Sequence, residues 1–122
     1  MWIENLTQKT YVMYIAISRE PELKKELDTI NEIVQGRGDC YVIINLANIE
    51  MLTSSSITSL LKLHNTLTKN GRLLILCKVS LPTKGVFRTA ELNSVFNFAL
   101  DMFAAQTMIQ QHCLRETQKT AT

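Results

Sequence analysis

Little in this chain points to a membrane, a metal or a phosphate-cradling loop. Its apolar runs, such as Leu73-Leu74-Ile75-Leu76-Cys77, are far shorter than the ~18 or more residues of a membrane span. The three cysteines, Cys40, Cys77 and Cys113, are far apart, odd in number and without a C-x-x-C pair. That argues against a zinc site and fits a reduced, cytoplasmic protein. The first residues, Met1 to Asn5, lack the basic start and apolar core of a secretory leader. Glycine is scarce: Gly36-Arg37-Gly38 follows a helical pattern, whereas a dinucleotide fingerprint follows a strand and opens a helix. No G-x-S-x-G surrounds Ser54 to Ser56, so a hydrolase elbow is not supported. The only aspartates, Asp28, Asp39 and Asp101, read as surface or capping residues, and His64 reads as a half-exposed helix residue. The expectation is a non-enzymatic protein with no cofactor and no metal. Net charge is only +2, and the basic residues are scattered, which argues against nucleic acid as a partner.

What is present is the pattern of one α/β domain. At 122 residues the chain is long enough for a single modest core. Tyr11 to Ile17 reads as a strand, and Trp2, Ile3 and Leu6 as a short preceding strand or arm. Pro21 suits the first position of a helix. Leu23, Leu27, Ile30, Ile33 and Val34 then give that helix an apolar face, and Gly36 to Asp39 ends it. Cys40 to Leu46 and Arg72 to Cys77 read as buried strands. Between them, Ile57, Leu60, Leu61, Leu63 and Leu67 recur at helical spacing, closed at Lys69-Asn70-Gly71. Thr83 to Ala90 reads as a short helix with Val86 and Phe87 inward, and Val95 to Phe98 as an edge strand. Asp101 caps a last helix through Ile109. The domain is expected over 1–114, with a polar tail over 115–122. Alternating strands and helices predict parallel pairs.

The most distinctive stretch is the hydroxyl cluster Thr53-Ser54-Ser55-Ser56 between a strand and a helix. Local chemistry alone reads it as a helix cap, because a side-chain oxygen can accept a hydrogen bond from an unpaired first-turn amide. A sharper reading is a phosphorylation or anion site, since a helix N-terminus favours negative charge. Exposed apolar side chains around Met51 and Leu52 would serve a partner or a self-dimer.

The stretch Asn45-Leu46-Ala47-Asn48-Ile49-Glu50-Met51-Leu52-Thr53-Ser54-Ser55-Ser56-Ile57 resembles the central motif of STAS domains, the family of bacterial anti-sigma factor antagonists. That motif is close to D-L-S-G-V-x-F-I-D-S-S-G-L, and Leu46, Ile49, Met51, Leu52 and Ile57 fall in register with it. Gly71 to Ser80 and Val86 to Phe96 resemble the family's later turn, strand, loop and short helix. The resemblance implies a single STAS-like α/β domain, a mixed sheet of about 4–5 strands with helices packed on it. It also implies a partner-binding switch: a serine kinase that is itself an anti-sigma factor phosphorylates a serine that maps to Ser55, and phosphorylation blocks docking. Ser54 and Ser56 are competing acceptors. The docking surface so implied comprises Thr53, Ser54, Ser55, Ser56, Ile57, Val79, Ser80 and Pro82. Asn45 and Thr53 stand where the family often has aspartates, and Ser56 stands for its glycine. Asn45 can still bond its loop, and Thr53 can still cap the helix. The competing reading keeps the fold as a scaffold subunit of a lipid-trafficking transporter or stress-signalling complex, without phosphorylation. A third makes the helix mouth an anion site of an enzyme or small-ligand protein.

Overall fold

The computed structural model describes residues 2–7, 10–16, 22–37, 40–49 and 52–121, with side chains over 11–14, 23–37, 40–49 and 52–115. Its elements are β1 (Trp2–Thr7), β2 (Thr10–Ala16), α1 (Glu22–Arg37), β3 (Cys40–Asn45), α2 (Ser54–Lys69), β4 (Leu74–Cys77), α3 (Leu81–Thr89), β5 (Asn97–Ala99) and α4 (Met102–Ala121). The strands form one mixed sheet in the order β1-β2-β3-β4-β5. β1 is antiparallel to β2, so it is a strand and not an arm, and the other pairs are parallel.

Each step from β2 to β5 moves one strand in the same direction through one helix. Right-handed crossovers made in one direction place every connecting helix on the same face. Accordingly Met13, Val42, Ile44, Leu74 and Leu76 share a core with Leu23, Leu27, Ile30 and Val34 of α1, Leu60, Leu63 and Leu67 of α2, and Phe87 of α3. The alternate residues Val12, Tyr14, Tyr41, Ile43, Ile75 and Cys77 point to the other face, where Ala105 and Ile109 of α4 cover them. Burial on both faces is why β3 and β4 read as unbroken apolar runs. Cys40 and Cys77 are fully buried.

Polar pairs fix the helices on each side. Ser59 Oγ donates to Asp28 Oδ1 at 2.9 Å, and Thr66 Oγ1 to Asn31 Oδ1 at 3.0 Å, joining α2 to α1. On the far face Gln106 Nε2 donates to the Tyr14 hydroxyl at 2.9 Å, and the Tyr41 hydroxyl lies 2.6 Å from His112 Nδ1.

Helix α2 closes as expected, with Gly71 at φ +72°. The Arg72 amide donates to the Leu67 carbonyl at 2.8 Å and the Gly71 amide to Thr68 at 3.0 Å, a Schellman closure. Helix α3 ends the same way without a glycine: Glu91 takes φ +59°, and the Leu92 amide reaches the Phe87 carbonyl at 2.7 Å. Several boundaries differ from expectation: β4 starts at Leu74 and not Arg72, because the Arg72 amide is used in closing α2, and β3 ends at Asn45. Helix α3 starts at Leu81, because Ser80 supplies its cap. The last strand is Asn97–Ala99, since the Val95 and Phe96 amides fold back onto the Leu92 carbonyl. Helix α4 continues through Ala121, because nothing between Arg115 and Ala121 is a glycine or proline that would stop it. Ile17, Pro21, Gly38 and Asp39 lie outside the described residues.

Candidate functional site

At the carboxyl ends of β3 and β4 the chain turns twice into helix N-termini. In the first turn, the Leu46 amide donates to the Cys77 carbonyl at 3.0 Å and the Asn45 side chain accepts from the Ala47 amide at 2.9 Å. Leu46, Ile49 and Leu52 anchor the loop in the core. Leu52 is only 5% exposed, so it is not the solvent-facing apolar residue expected, and Met51 lies outside the described residues. Thr53 has extended backbone (φ −82°, ψ 162°), and its side chain accepts from the Ser56 amide at 3.2 Å. Its hydroxyl also donates to Ser56 Oγ at 3.3 Å.

The four hydroxyls therefore divide. Ser56 has no exposed surface, which removes it both as a competing phosphate acceptor and from the docking surface. The third residue of the first turn points back under the loop, where the family motif has glycine. Thr53, Ser54 and Ser55 face solvent. Among the described residues, neither the Ser54 nor the Ser55 hydroxyl holds a hydrogen bond. Among the described residues no histidine or carboxylate is bonded to either. Each is an exposed hydroxyl at the first turn of α2.

The second turn repeats the first. Ser80 (φ −68°, ψ 159°) accepts from the Thr83 amide at 3.3 Å, and its hydroxyl donates to Thr83 Oγ1 at 3.0 Å, with Thr83 fully buried. Here the outward residues are Leu81 and Pro82. Val79 is half-buried against the core, so its side chain is largely structural. Neither first turn contains an acid, so neither helix answers its partial positive charge from within its own first turn.

Between α2 and α3 lies a groove of about 640 Å³, lined by Ser54, Ile57, Thr58, Pro82, Gly85, Val86, Thr89 and Ala90. It brings together the expected Ser54, Ile57 and Pro82, whereas Thr53, Ser55 and Ser80 stand outside it. Sequence reasoning missed Thr58, Gly85, Thr89 and Ala90, and it turned Val86 inward although that side chain is half-buried and borders the groove. The spacing of Pro82, Gly85, Val86 and Thr89 marks one helical face and was the available signal. His64, on the same α2, is half-buried as expected. Its ring meets Phe96 edge-on at 5.5 Å, its Nδ1 is enclosed without a partner, and burial pulls its pKa below the usual imidazole value. Among the described residues no group of three or more His, Cys, Asp or Glu could hold a metal ion, and no helix is long and apolar enough to cross a membrane.

Comparison with solved structures returns the same architecture. A serine-to-glutamate variant of RsbS from Moorella thermoacetica matches with TM-score 0.70 and 11% identity, over 89% of this chain and 93% of that one. An anti-sigma-factor antagonist (STAS) domain protein from Planctomyces limnophilus matches with TM-score 0.66 and 19% identity, over 91% and 97%. SpoIIAA, a Bacillus cell-fate determinant solved in its phosphorylated form, matches with TM-score 0.61 and 18% identity, over 88% and 97%. At these identities the likeness shows the fold. Comparison with curated protein sequences gives no match. The STAS domain model matches residues 13–105, most of the chain and all of its parallel sheet beyond the start of β2, and the chain belongs to the STAS domain family.

Proposed function

We propose that this protein is a non-enzymatic regulatory module of the anti-sigma factor antagonist type. It binds a protein partner, an anti-sigma factor with serine kinase activity, through the mouth of α2 and the groove beside it, and phosphorylation of Ser55 releases that partner. The observation that carries the reading is the Ser54-Ser55 pair, with two exposed and unbonded hydroxyls beside an apolar groove. A phosphate adds about −1.5 to −2 charges. On Ser55 it meets first-turn amides and no acid of the same turn, so the fold tolerates it. At a docked surface the same charge must lose its water, which weakens the complex. A hundredfold loss of affinity requires only about 2.7 kcal/mol.

A second reading, a fixed scaffold subunit without phosphorylation, draws support from Thr53 where the family often has an acid. It draws support also from a stressosome chain that matches with TM-score 0.65 and 12% identity. Capture from source-cell lysate with wild type, Ser55→Ala and Ser55→Glu, each checked by circular dichroism, separates the two. The switch requires a kinase-type partner held by wild type and Ser55→Ala, lost with Ser55→Glu, and able to phosphorylate wild type alone. A subunit retained equally by all three variants supports the scaffold.

A further inference from the structure

The opposite side of α3, toward the edge strand β5, carries a separate trough. One part, about 270 Å³, is lined by Lys78, Val79, Lys84, Phe98, Ala99 and Leu100. An adjoining part, about 230 Å³, is lined by Lys84, Phe87, Arg88, Asn93 and Phe98. Lys84 and Phe98 border both, so the two lie side by side. The floor is apolar and recessed: Phe87 is fully buried, Phe98 half-buried, and their rings meet at 5.5 Å. The rim is cationic. Lys78, Lys84 and Arg88 are all exposed, and no carboxylate is among the lining residues. Lys84 and Arg88 lie one helical turn apart, on the same face of α3. Lys78 is held at φ +54°, a left-handed conformation that costs a non-glycine residue about 1 kcal/mol or more and that recurs at functional turns. Leu100, at the end of the trough, is 84% exposed.

We propose that this trough docks a segment of a protein partner that carries several acidic residues around a large apolar side chain. The carboxylates answer the three cations, and the apolar group covers Phe98 and Leu100. A nucleic acid fits less well, because Phe87 is fully buried and Phe98 half-buried, so neither ring projects as a stacking platform. A membrane surface fits less well, because Leu100 alone of the apolar lining residues projects, while Val79, Phe98 and Ala99 lie in a hollow. The surface does not include Ser55, so it stands or falls apart from the phosphorylation switch.

The test is titration of the full chain with a fluorescent synthetic peptide in which glutamates flank a Leu-Phe pair. A lysine-for-glutamate twin, vesicles containing anionic phospholipid and a thymidine oligonucleotide are run alongside. The acidic peptide binds and shifts the amide resonances of Lys78, Lys84, Arg88 and Leu100, and its affinity falls with added salt. Affinity drops about tenfold in the double variant K84E/R88E and about threefold in L100S. Lys78→Gly relieves the strained turn without harming the fold and still weakens binding, which separates charge from structure. Ser55→Glu leaves this binding unchanged. An absence of peptide binding, equal binding by K84E/R88E, or preferential binding of the lysine peptide, vesicles or oligonucleotide overturns the proposal.

Discussion

Helices α2 and α3 begin with the same device built twice. Thr53 and Ser80 are both extended caps, both accept from an amide three residues on, and both bond a hydroxyl that is fully buried, Ser56 or Thr83. The difference lies in the two residues between: Ser54 and Ser55 at one mouth, Leu81 and Pro82 at the other. Capping therefore explains four hydroxyls and leaves two over. Because the twin cap functions without exposed serines, the Ser54-Ser55 pair is not required by helix initiation.

The largest expected effect separates neighbours within one mouth. Ser56→Glu forces a carboxylate into a position without solvent and should cost about 3 kcal/mol or more, although a glutamate there favours an open helix start. Ser55→Glu, exposed at the same helix end, should be neutral or stabilising by a few tenths of a kcal/mol. Urea unfolding of the two variants decides this. Next, Thr53→Ala and Ser80→Ala should each cost about 1 kcal/mol, lowering Tm by about 4 °C, and by nearly equal amounts if the caps are equivalent. Calorimetry showing one of them silent breaks the parallel.

Smaller effects of opposite sign are expected on α3. Gly85→Ala adds a methyl group that meets nothing within 4 Å and should stabilise the helix by about 0.5–1 kcal/mol, while narrowing the groove enough to weaken a docked partner. Glu91→Gly should stabilise by up to about 1 kcal/mol by relieving φ +59°, whereas Gly71→Ala at the equivalent end of α2 should destabilise by a similar amount. Thermal scans of the three variants check the signs.

The smallest effects follow acid. The folded state holds the His64 pKa below 6.5, so the unfolded chain takes up a proton first as pH falls through 6.5, and stability declines there. Asp28 is held below its ordinary value of 3.8 by hydrogen bonds from Lys24 and Ser59, so its contribution is present above 3.8 and is lost only below it. Denaturant midpoints measured from pH 8 to 3 should show the upper decline vanish in His64→Phe and the lower one shrink in Asp28→Asn.

Much of the fold was legible because strong local signals agreed with tertiary need. The apolar faces of α1 and α2, the Thr53 and Asp101 caps and the Gly71 closure all appear where the sequence puts them; the Asp101 carboxylate accepts from the Ala104 amide at 2.8 Å. What was missed depended on neighbours distant in sequence. Whether Ser56 faces in or out is set by the loop that Leu46 and Leu52 anchor, and composition cannot show it. Glu91 takes a left-handed closure that nothing in its residue type announces. The groove needs two helices side by side, and no single helical stripe reveals its partner.

The solitary position of α4 has a consequence for the order of events during synthesis. Every strand of the sheet leaves the ribosome before α4 does, and three helices can already cover one side. Val12, Tyr14, Ile43 and Ile75 on the other side stay bare until the last helix arrives. A chain folded only through β5 would carry that apolar face uncovered, a surface prone to association, and docking of Ala105 and Ile109 closes it.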